Sequence, residues 1–285
     1  MLVTLNDILP RAKKEKFAIG LFNTINLEMA KGVIAAAEEL HAPAIIGTAE
    51  VLLPYAELEE LTYFLKPMAE KAKVPIVLHF DHGLSEARIK QAIELGFSSI
   101  MYDCSTYSFD ENIEKVAEMV KFCHSREVSV EAEIGHVGSN EGSTEGVAEA
   151  EHNDDSIYTD PIQAKFFAEQ THCDALAIAI GTSHGAYKNT PRLDFERLHE
   201  ISTMIPTPLV LHGGSGLSNQ DSQACIANGI SKVNIFTDVN CAALDAAVAN
   251  YQKGKGLSDV LNDITEAVKQ ATMVKMRLFS CEGKA

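Results

Sequence analysis

The sequence predicts one (β/α)8 barrel, a TIM barrel, with an extra C-terminal helix. Short runs rich in Val, Ile, Leu and Ala alternate with longer amphipathic stretches, which is typical of repeated βα units. Eight such runs occur in 285 residues, of which 46% are hydrophobic. This length and composition suit a single large core, so we expect one domain over residues 1–285.

The predicted elements follow one another in a regular order. Strands are predicted to start near Ala18, Ala42, Pro75, Ser99, Val128, Ala175, Pro208 and Lys232. Helical patterns between them cover 28–40, 84–95, 109–126, 161–171 and 194–204. A last helix, Leu257 to Phe279, exceeds the eight units and is expected to pack across the barrel or against a neighbouring subunit. The polar, glycine- and acid-rich stretch 136–159 predicts a mobile active-site loop.

Charge and composition argue against a nucleic-acid-binding, membrane or disulfide-rich secreted protein. The chain has 40 acidic and 24 basic residues, a formal charge of -16, which repels nucleic acid and anionic membranes. No apolar stretch approaches the roughly 20 residues that span a bilayer, and no signal-peptide pattern opens the chain. The six cysteines show no paired spacing, which indicates reduced thiols. We therefore expect a cytoplasmic protein.

Three histidines end apolar, strand-like runs. His82 follows Asp81, and His184 and His212 close two later runs. In a parallel barrel these ends share one rim, so three neutral imidazoles could hold Zn²⁺ and leave one coordination position open, which implies catalysis. A lone histidine at a strand end is more often a hydrogen-bonded core residue, but three on one rim favour a metal site. His79 is interpreted as an interior residue.

Glycine-rich turns follow the last two predicted strands. Gly213 to Gly216 and Asn234 to Thr237 occupy positions where barrels bind phosphate through backbone N–H groups, a hydroxyl and a helix N-terminus. The alternative is that the glycines only permit tight turns.

These motifs resemble one family nearly end to end: the class II, zinc-dependent ketose-bisphosphate aldolases of the fructose- and tagatose-bisphosphate type. The matching segments are Phe22-Asn23, Asp81-His82, Glu131 to Gly135, Ala179 to Gly185, Leu209 to Gly216 and Lys232 to Thr237. The resemblance implies that His82, His184 and His212 bind Zn²⁺ and that Asp81 is the proton donor in condensation. It implies a substrate site for dihydroxyacetone phosphate made of Asn23, Gly185, Gly213, Gly214, Ser215, Asn234, Ile235, Phe236 and Thr237.

Further features of the family concern metals. Some members have a second metal position, which matches Asp103 and Glu133 here, and a monovalent cation (Na⁺ or K⁺) near the phosphate. The family also implies a homodimer or homotetramer.

The chemistry agrees with this assignment. Cleavage of the C3–C4 bond leaves a carbanion that delocalises into the C2 carbonyl, where Zn²⁺ stabilises the enediolate as a Lewis acid. Asp81 would take the C4 hydroxyl proton during cleavage. A second proton transfer at C3 needs a carboxylate that loop closure brings in, and Glu141 matches a family loop glutamate, with Glu145 and Glu149 as alternatives.

Two residues bear on the choice of sugar phosphate. Phe236 stands where fructose-type relatives often have a polar residue and tagatose-type relatives can have a small one, so either it reshapes the pocket or it points into packing. Arg277 matches a family arginine that reaches a distal phosphate, commonly across a subunit interface; otherwise it is a plain surface arginine. An arginine suits an anionic aldehyde fragment.

Three other functions remain as alternatives. A Schiff-base aldolase needs a lysine at the carboxyl end of a strand, whereas Lys232 begins the eighth strand and is expected at the opposite face. A metal-dependent hydrolase of this fold would have a His-x-His pair where Asn23 stands. A catalytically silent partner subunit should have lost its metal ligands, and this chain keeps all three.

Overall fold

Eight parallel strands close into a barrel in the computed structural model, which describes residues 1–135, 158–185, 187, 191–254 and 256–285. The barrel strands are β2 (Ile19–Asn23), β3 (Ala44–Ala49), β4 (Ile76–Gly83), β5 (Ser99–Tyr102), β6 (Ser129–Ile134), β7 (Ala175–Ile178), β8 (Leu209–Leu211) and β9 (Ile230–Ile235). Each pairs in parallel with its neighbours, β9 pairs with β2, and β4 with β5. A short strand β1 (Leu2–Val3) adds to β4. The predicted TIM barrel is confirmed.

Helices surround the barrel. They are α1 (Leu5–Glu15), α2 (Leu27–Glu39), α3 (Leu58–Lys71), α4 (Glu86–Leu95), α5 (Phe109–His124), α6 (Pro161–Thr171), α7 (Phe195–Met204), α8 (Asn219–Ala227), α9 (Thr237–Asn250) and α10 (Leu261–Leu278). Side chains of Asn26, Ser85, Ser108, Asp160, Asp194 and Ser218 accept backbone N–H groups at the helix starts. The predicted helices are present, and α1, α3, α8 and α9 are additional. Of the helices in the described ranges, none has the length and hydropathy that a bilayer crossing requires.

The C-terminal helix packs on the outside of the barrel, not across it. A single 3-10 turn (Leu257–Asp259) precedes α10, so the predicted helix begins later than expected. Gly32 of α2 lets α10 approach closely, because a Cβ there would lie 2.8 Å from the Thr265 carbonyl oxygen. The helix ends beside β2, where Ala18 N donates to Phe279 O at 3.0 Å. This contact places the C-terminal end of α10 at the amino end of the barrel.

The barrel strands are buried on both faces, and most of their residues are apolar, as expected when helices cover a parallel sheet. The interior nevertheless contains buried polar residues, among them His79, Glu131 and Lys232, all with 0% exposure. The prediction that Lys232 lies at the amino face is wrong. β9 begins two residues earlier, at Ile230, and the long Lys232 side chain reaches Asn234 near the carboxyl end of the same strand.

Candidate active site

Three imidazoles meet at the carboxyl end of the barrel. One ring nitrogen from each of His82, His184 and His212 lies within 4.8 Å of the others. The ring centroids are 4.5 Å apart for His82 and His212, 5.0 Å for His82 and His184, and 5.6 Å for His184 and His212. The structure therefore brings together the three predicted zinc ligands.

A backbone irregularity explains how Asp81 and His82 can both face this site. Adjacent side chains in a regular strand point to opposite faces. Here the pairing of β4 with β5 shifts register between Phe80 and Gly83, and His82 has a φ of 42°, in the left-handed region. This bend lets two neighbouring functional residues serve one site.

Carboxylates fix which nitrogen each imidazole can offer. His82 Nδ1 lies 2.9 Å from Asp103 Oδ2, and His212 Nε2 lies 2.8 Å from Glu131 Oε1. Each carboxylate accepts an N–H, so His82 presents the lone pair of Nε2 and His212 that of Nδ1. His212 Nδ1 is buried without a hydrogen-bond partner among the described residues, and Glu133 Oε2 is 3.4 Å away. A buried imidazole nitrogen of this kind fits a metal ligand.

The environment keeps these groups in the protonation states that a metal requires. Burial, with the nearby His82, lowers the pKa of His212 to about 4, so this imidazole is neutral at pH 7. Burial alone would raise the pKa of Asp103, but hydrogen bonds from His82 and Ser105 hold it well below its usual range. Asp103, Glu133 and His82 form a second group of potential ligand atoms within 4.8 Å. The residues of the predicted second metal position are thus adjacent to the first.

The Asp81 carboxylate is buried and fixed by two carboxamides. Asn23 Nδ2 donates to Oδ2 at 2.8 Å, and Asn234 Nδ2 donates to Oδ1 at 3.0 Å. His79 Nε2 is 3.7 Å from Oδ1. Burial opposes ionisation, but the nearby His82 and the ammonium group of Lys232 keep the pKa of Asp81 well below its usual range. Asp81 is therefore an ionised carboxylate beside the imidazoles.

Other polar atoms at this rim are buried without hydrogen-bond partners among the described residues. They are Asn23 Oδ1, Thr48 Oγ1 and Thr182 Oγ1. Such atoms cost free energy unless a water or ligand satisfies them. These atoms are available to bind water or a polar ligand at the rim.

The glycine-rich turn packs against the start of α9. Ser215 Oγ accepts from Phe236 N at 3.3 Å and Asp238 N at 3.4 Å, and the N-cap residue, Phe236, makes no side-chain capping bond of its own. The amide groups at this N-terminus suit an anion. Gly213 has a φ of 66°, and a Cβ there would lie 2.3 Å from Ser183 O, so close packing also requires glycine.

A family model for class II fructose-bisphosphate aldolase matches residues 3–284. The chain belongs to this family. It is 41% identical over 274 residues to the uncharacterized protein YdjI of Escherichia coli strain K12, covering 96% of each chain. The X-ray structure of the YdjI aldolase matches with a TM-score of 0.89 and 37% identity over 100% of both chains. A fructose-bisphosphate aldolase from Campylobacter jejuni shares the fold, with a TM-score of 0.82 and 22% identity, covering 100% of this chain and 97% of that one.

Three residues of this aldolase-family site, Glu131, Lys232 and Tyr187, were not predicted to belong to it. Glu131 orients His212, and Lys232 lies 2.8 Å from Glu131 Oε2. The Tyr187 hydroxyl accepts from Ser183 N at 3.0 Å and donates to Gly213 O at 2.8 Å, so it joins the loop of His184 to the turn after His212. Of these residues, only Glu131 could have been predicted from the sequence, because strand alternation places it on the same face as Glu133.

Some predicted site residues lie away from the three imidazoles or outside the described residues. Glu141 and most of the predicted loop lie outside the described residues. Phe236 is half-buried and packs against the core, which agrees with the packing alternative. Arg277 pairs with Glu282 at 3.3 Å near the amino end of the barrel, opposite the imidazoles of its own chain. Its binding of a distal phosphate stays a prediction, and it concerns a neighbouring subunit's site.

Proposed function

We propose that this protein is a Zn²⁺-dependent aldolase that reversibly cleaves a ketose phosphate or bisphosphate into dihydroxyacetone phosphate and an aldehyde. The observation that carries the proposal is the convergence of His82, His184 and His212 within 4.8 Å, next to the buried carboxylate of Asp81. Three protein ligands and an open position are the pattern of a catalytic zinc, and a neighbouring carboxylate supplies proton transfer.

Zinc would be held by His82 Nε2, His212 Nδ1 and a ring nitrogen of His184. When bound, Zn²⁺ supplies a Lewis acid that stabilises negative charge on the substrate carbonyl oxygen. Asp103 and Glu133 are proposed for a second metal position, because their carboxylates group with His82. A monovalent cation, Na⁺ or K⁺, is proposed near the phosphate.

Asp81 transfers the proton that bond cleavage requires. In the cleavage direction its carboxylate accepts the proton of the C4 hydroxyl, and in condensation it returns that proton to the aldehyde oxygen. Asn23 and Asn234 hold both carboxylate oxygens in place. Glu141 is proposed for the proton transfer at C3.

The phosphate of dihydroxyacetone phosphate is proposed to bind where the glycine-rich turn meets the start of α9. Backbone N–H groups and the helix N-terminus favour an anion there, despite the net charge of -16. The proposed substrate-binding residues are Asn23, Gly185, Gly213, Gly214, Ser215, Asn234, Ile235, Phe236 and Thr237.

The ketose is proposed to be fructose 1,6-bisphosphate, tagatose 1,6-bisphosphate or a related sugar phosphate. Arg277 from a neighbouring subunit would bind the anionic group of the aldehyde fragment, which requires a homodimer or homotetramer. The acidic charge supports a cytoplasmic location.

The test is condensation of dihydroxyacetone phosphate with a panel of aldehydes, including glyceraldehyde 3-phosphate and acidic sugars, with and without chelator. We expect condensation that the chelator abolishes and zinc restores. Borohydride added with substrate should not inactivate the protein, since no lysine imine forms. Absence of condensation with every aldehyde, despite bound zinc, would contradict the proposal and favour a hydrolase or a silent partner subunit.

A further inference from the structure

A buried chain of polar side chains runs through the barrel interior beneath the rim. Lys232 and Glu131 have 0% exposure, and Asn234 has 7%. Lys232 Nζ lies 2.8 Å from Glu131 Oε2 and 2.6 Å from Asn234 Oδ1. A buried ion pair contributes little net stability, because desolvation of both charges offsets their attraction. Its presence inside the barrel therefore points to a role other than stability.

Lys232 holds the oxygen end of the Asn234 carboxamide, while Asp81 accepts from its amino end. An ammonium group has donors and no acceptor, so the atom of Asn234 that faces Nζ must be the oxygen. The amino group is then turned toward Asp81, whose carboxylate oxygens lie 3.0 and 3.2 Å from Nδ2. Asp81 accepts only and favours the same orientation, so without Lys232 the carboxamide would be held at its amino end alone and its oxygen would be free to move.

Glu131 connects the same ammonium group to the imidazoles. Its Oε1 accepts from His212 Nε2 at 2.8 Å, while Oε2 faces Lys232. The Lys232 charge opposes the effect of burial and, with the hydrogen bond from His212, lowers the pKa of Glu131 to about 2. One hydrogen-bonded chain thus links Asp81 to His212 through β9 and β6.

We propose that Lys232 is a positioning residue: it holds Asn234 in the orientation that donates to Asp81, and proton transfer by Asp81 depends on it. This inference rests on the proposed aldolase function, because it assigns Asp81 to the aldol step. Positioning matters since a catalytic group must stay close to its productive geometry, and a displaced carboxylate transfers protons slowly.

The experiment compares four variants: Lys232→Met, Glu131→Gln, the two combined, and Lys13→Met. Methionine keeps the length of lysine without its charge. Lys13 is the matched control, because it is a half-buried lysine whose Nζ binds the carbonyls of Ile205 and Thr207, away from the imidazoles. Each variant is assayed for zinc content and for condensation of dihydroxyacetone phosphate with glyceraldehyde 3-phosphate.

Lys232→Met should lower kcat by about 100-fold, with KM changed by less than about threefold and one zinc per chain retained. Glu131→Gln should lower kcat by only about tenfold, because glutamine still accepts from His212 and Lys232 still donates to Asn234. The double variant should be as slow as Lys232→Met. Lys13→Met should have the kcat, KM and zinc content of the wild-type protein.

A crystal structure of Lys232→Met gives a readout that is independent of catalysis. We expect the Asn234 Nδ2 to Asp81 distance to exceed about 3.5 Å, the limit of a hydrogen bond. An unchanged contact, or wild-type kcat in Lys232→Met, would overturn the inference. Recovery of activity in the double variant would also overturn it, since Lys232 would then only neutralise Glu131. If the wild-type protein condensed none of the aldehydes of the panel, the aldolase function would be rejected instead, and the crystallographic contact alone would decide the positioning role.

Discussion

At the scale of single residues, the candidate site consists of buried polar groups that restrain one another. Asp81 receives two carboxamide donors, and His82 and His212 each donate to a carboxylate. These bonds fix tautomers and charges before any ligand binds, which is the preorganisation that catalysis by acid, base and metal requires. The consequence is that conservative substitutions should affect chemistry more than folding.

Asp81→Asn tests this consequence. The substitution keeps the shape of the side chain and removes its ability to accept a proton, so kcat should fall by about a thousandfold. The bound zinc, measured by elemental analysis, should stay at the wild-type level because the three imidazoles are untouched. If the variant retained more than a tenth of wild-type kcat, Asp81 would not be the base.

At the scale of elements, α9 differs from the other helices around the barrel. Within the described residues, Val239 is its single buried position. Leu244 and Val248 of the same helix are 64% and 68% exposed to solvent. These residues lie four apart, on one helix face. An apolar face of this kind favours contact with another subunit, in agreement with the predicted homo-oligomer.

Leu244→Asp combined with Val248→Asp should therefore break this interface of the predicted homo-oligomer and lower its mass, as measured by light scattering after size exclusion. Burying two carboxylates in an apolar interface costs more than the contact gains. Cys241 is exposed three residues before Leu244, so its thiol should react with Ellman's reagent faster in the variant. As a control, Tyr63→Asp on α3 changes another exposed residue and should leave the mass unchanged. A monomeric wild-type protein would contradict the prediction.

At the scale of the whole molecule, zinc would tie together the ends of separate βα units. His82 belongs to β4, His212 follows β8, and His184 lies on the segment after β7. A ligand that binds only the folded state stabilises it by mass action. Metal removal should therefore lower the unfolding temperature as well as the activity.

A chelator should lower the melting temperature measured by calorimetry by roughly 5 °C. Bound zinc would contribute about 2.7 kcal/mol to the free energy of unfolding when free zinc is about 100 times its Kd. His184→Ala should melt at the same temperature with and without chelator. A variant that kept the wild-type response to chelator would show that the stabilising metal binds elsewhere.

The barrel, its eight strands and the polar residues near their carboxyl ends could be predicted from the amino-acid pattern. This was possible because burial on both faces makes most of the strands largely apolar, so polar residues near their carboxyl ends, such as Asp81 and His212, stand out. The histidines could be grouped because parallel strands bring their carboxyl ends to one rim.

The contacts inside the barrel and the direction of long side chains became known only from the folded structure. Lys232 looked like the start of a strand, yet its ammonium reaches Glu131, which is 101 positions away in the sequence, and the neighbouring Asn234. Arg277 lies near the amino end of its own barrel, so its predicted contact with a distal phosphate concerns a neighbouring subunit's site and stays a prediction. Periodicity reports which face of an element is buried, but a hydrogen bond depends on atoms that folding alone brings together.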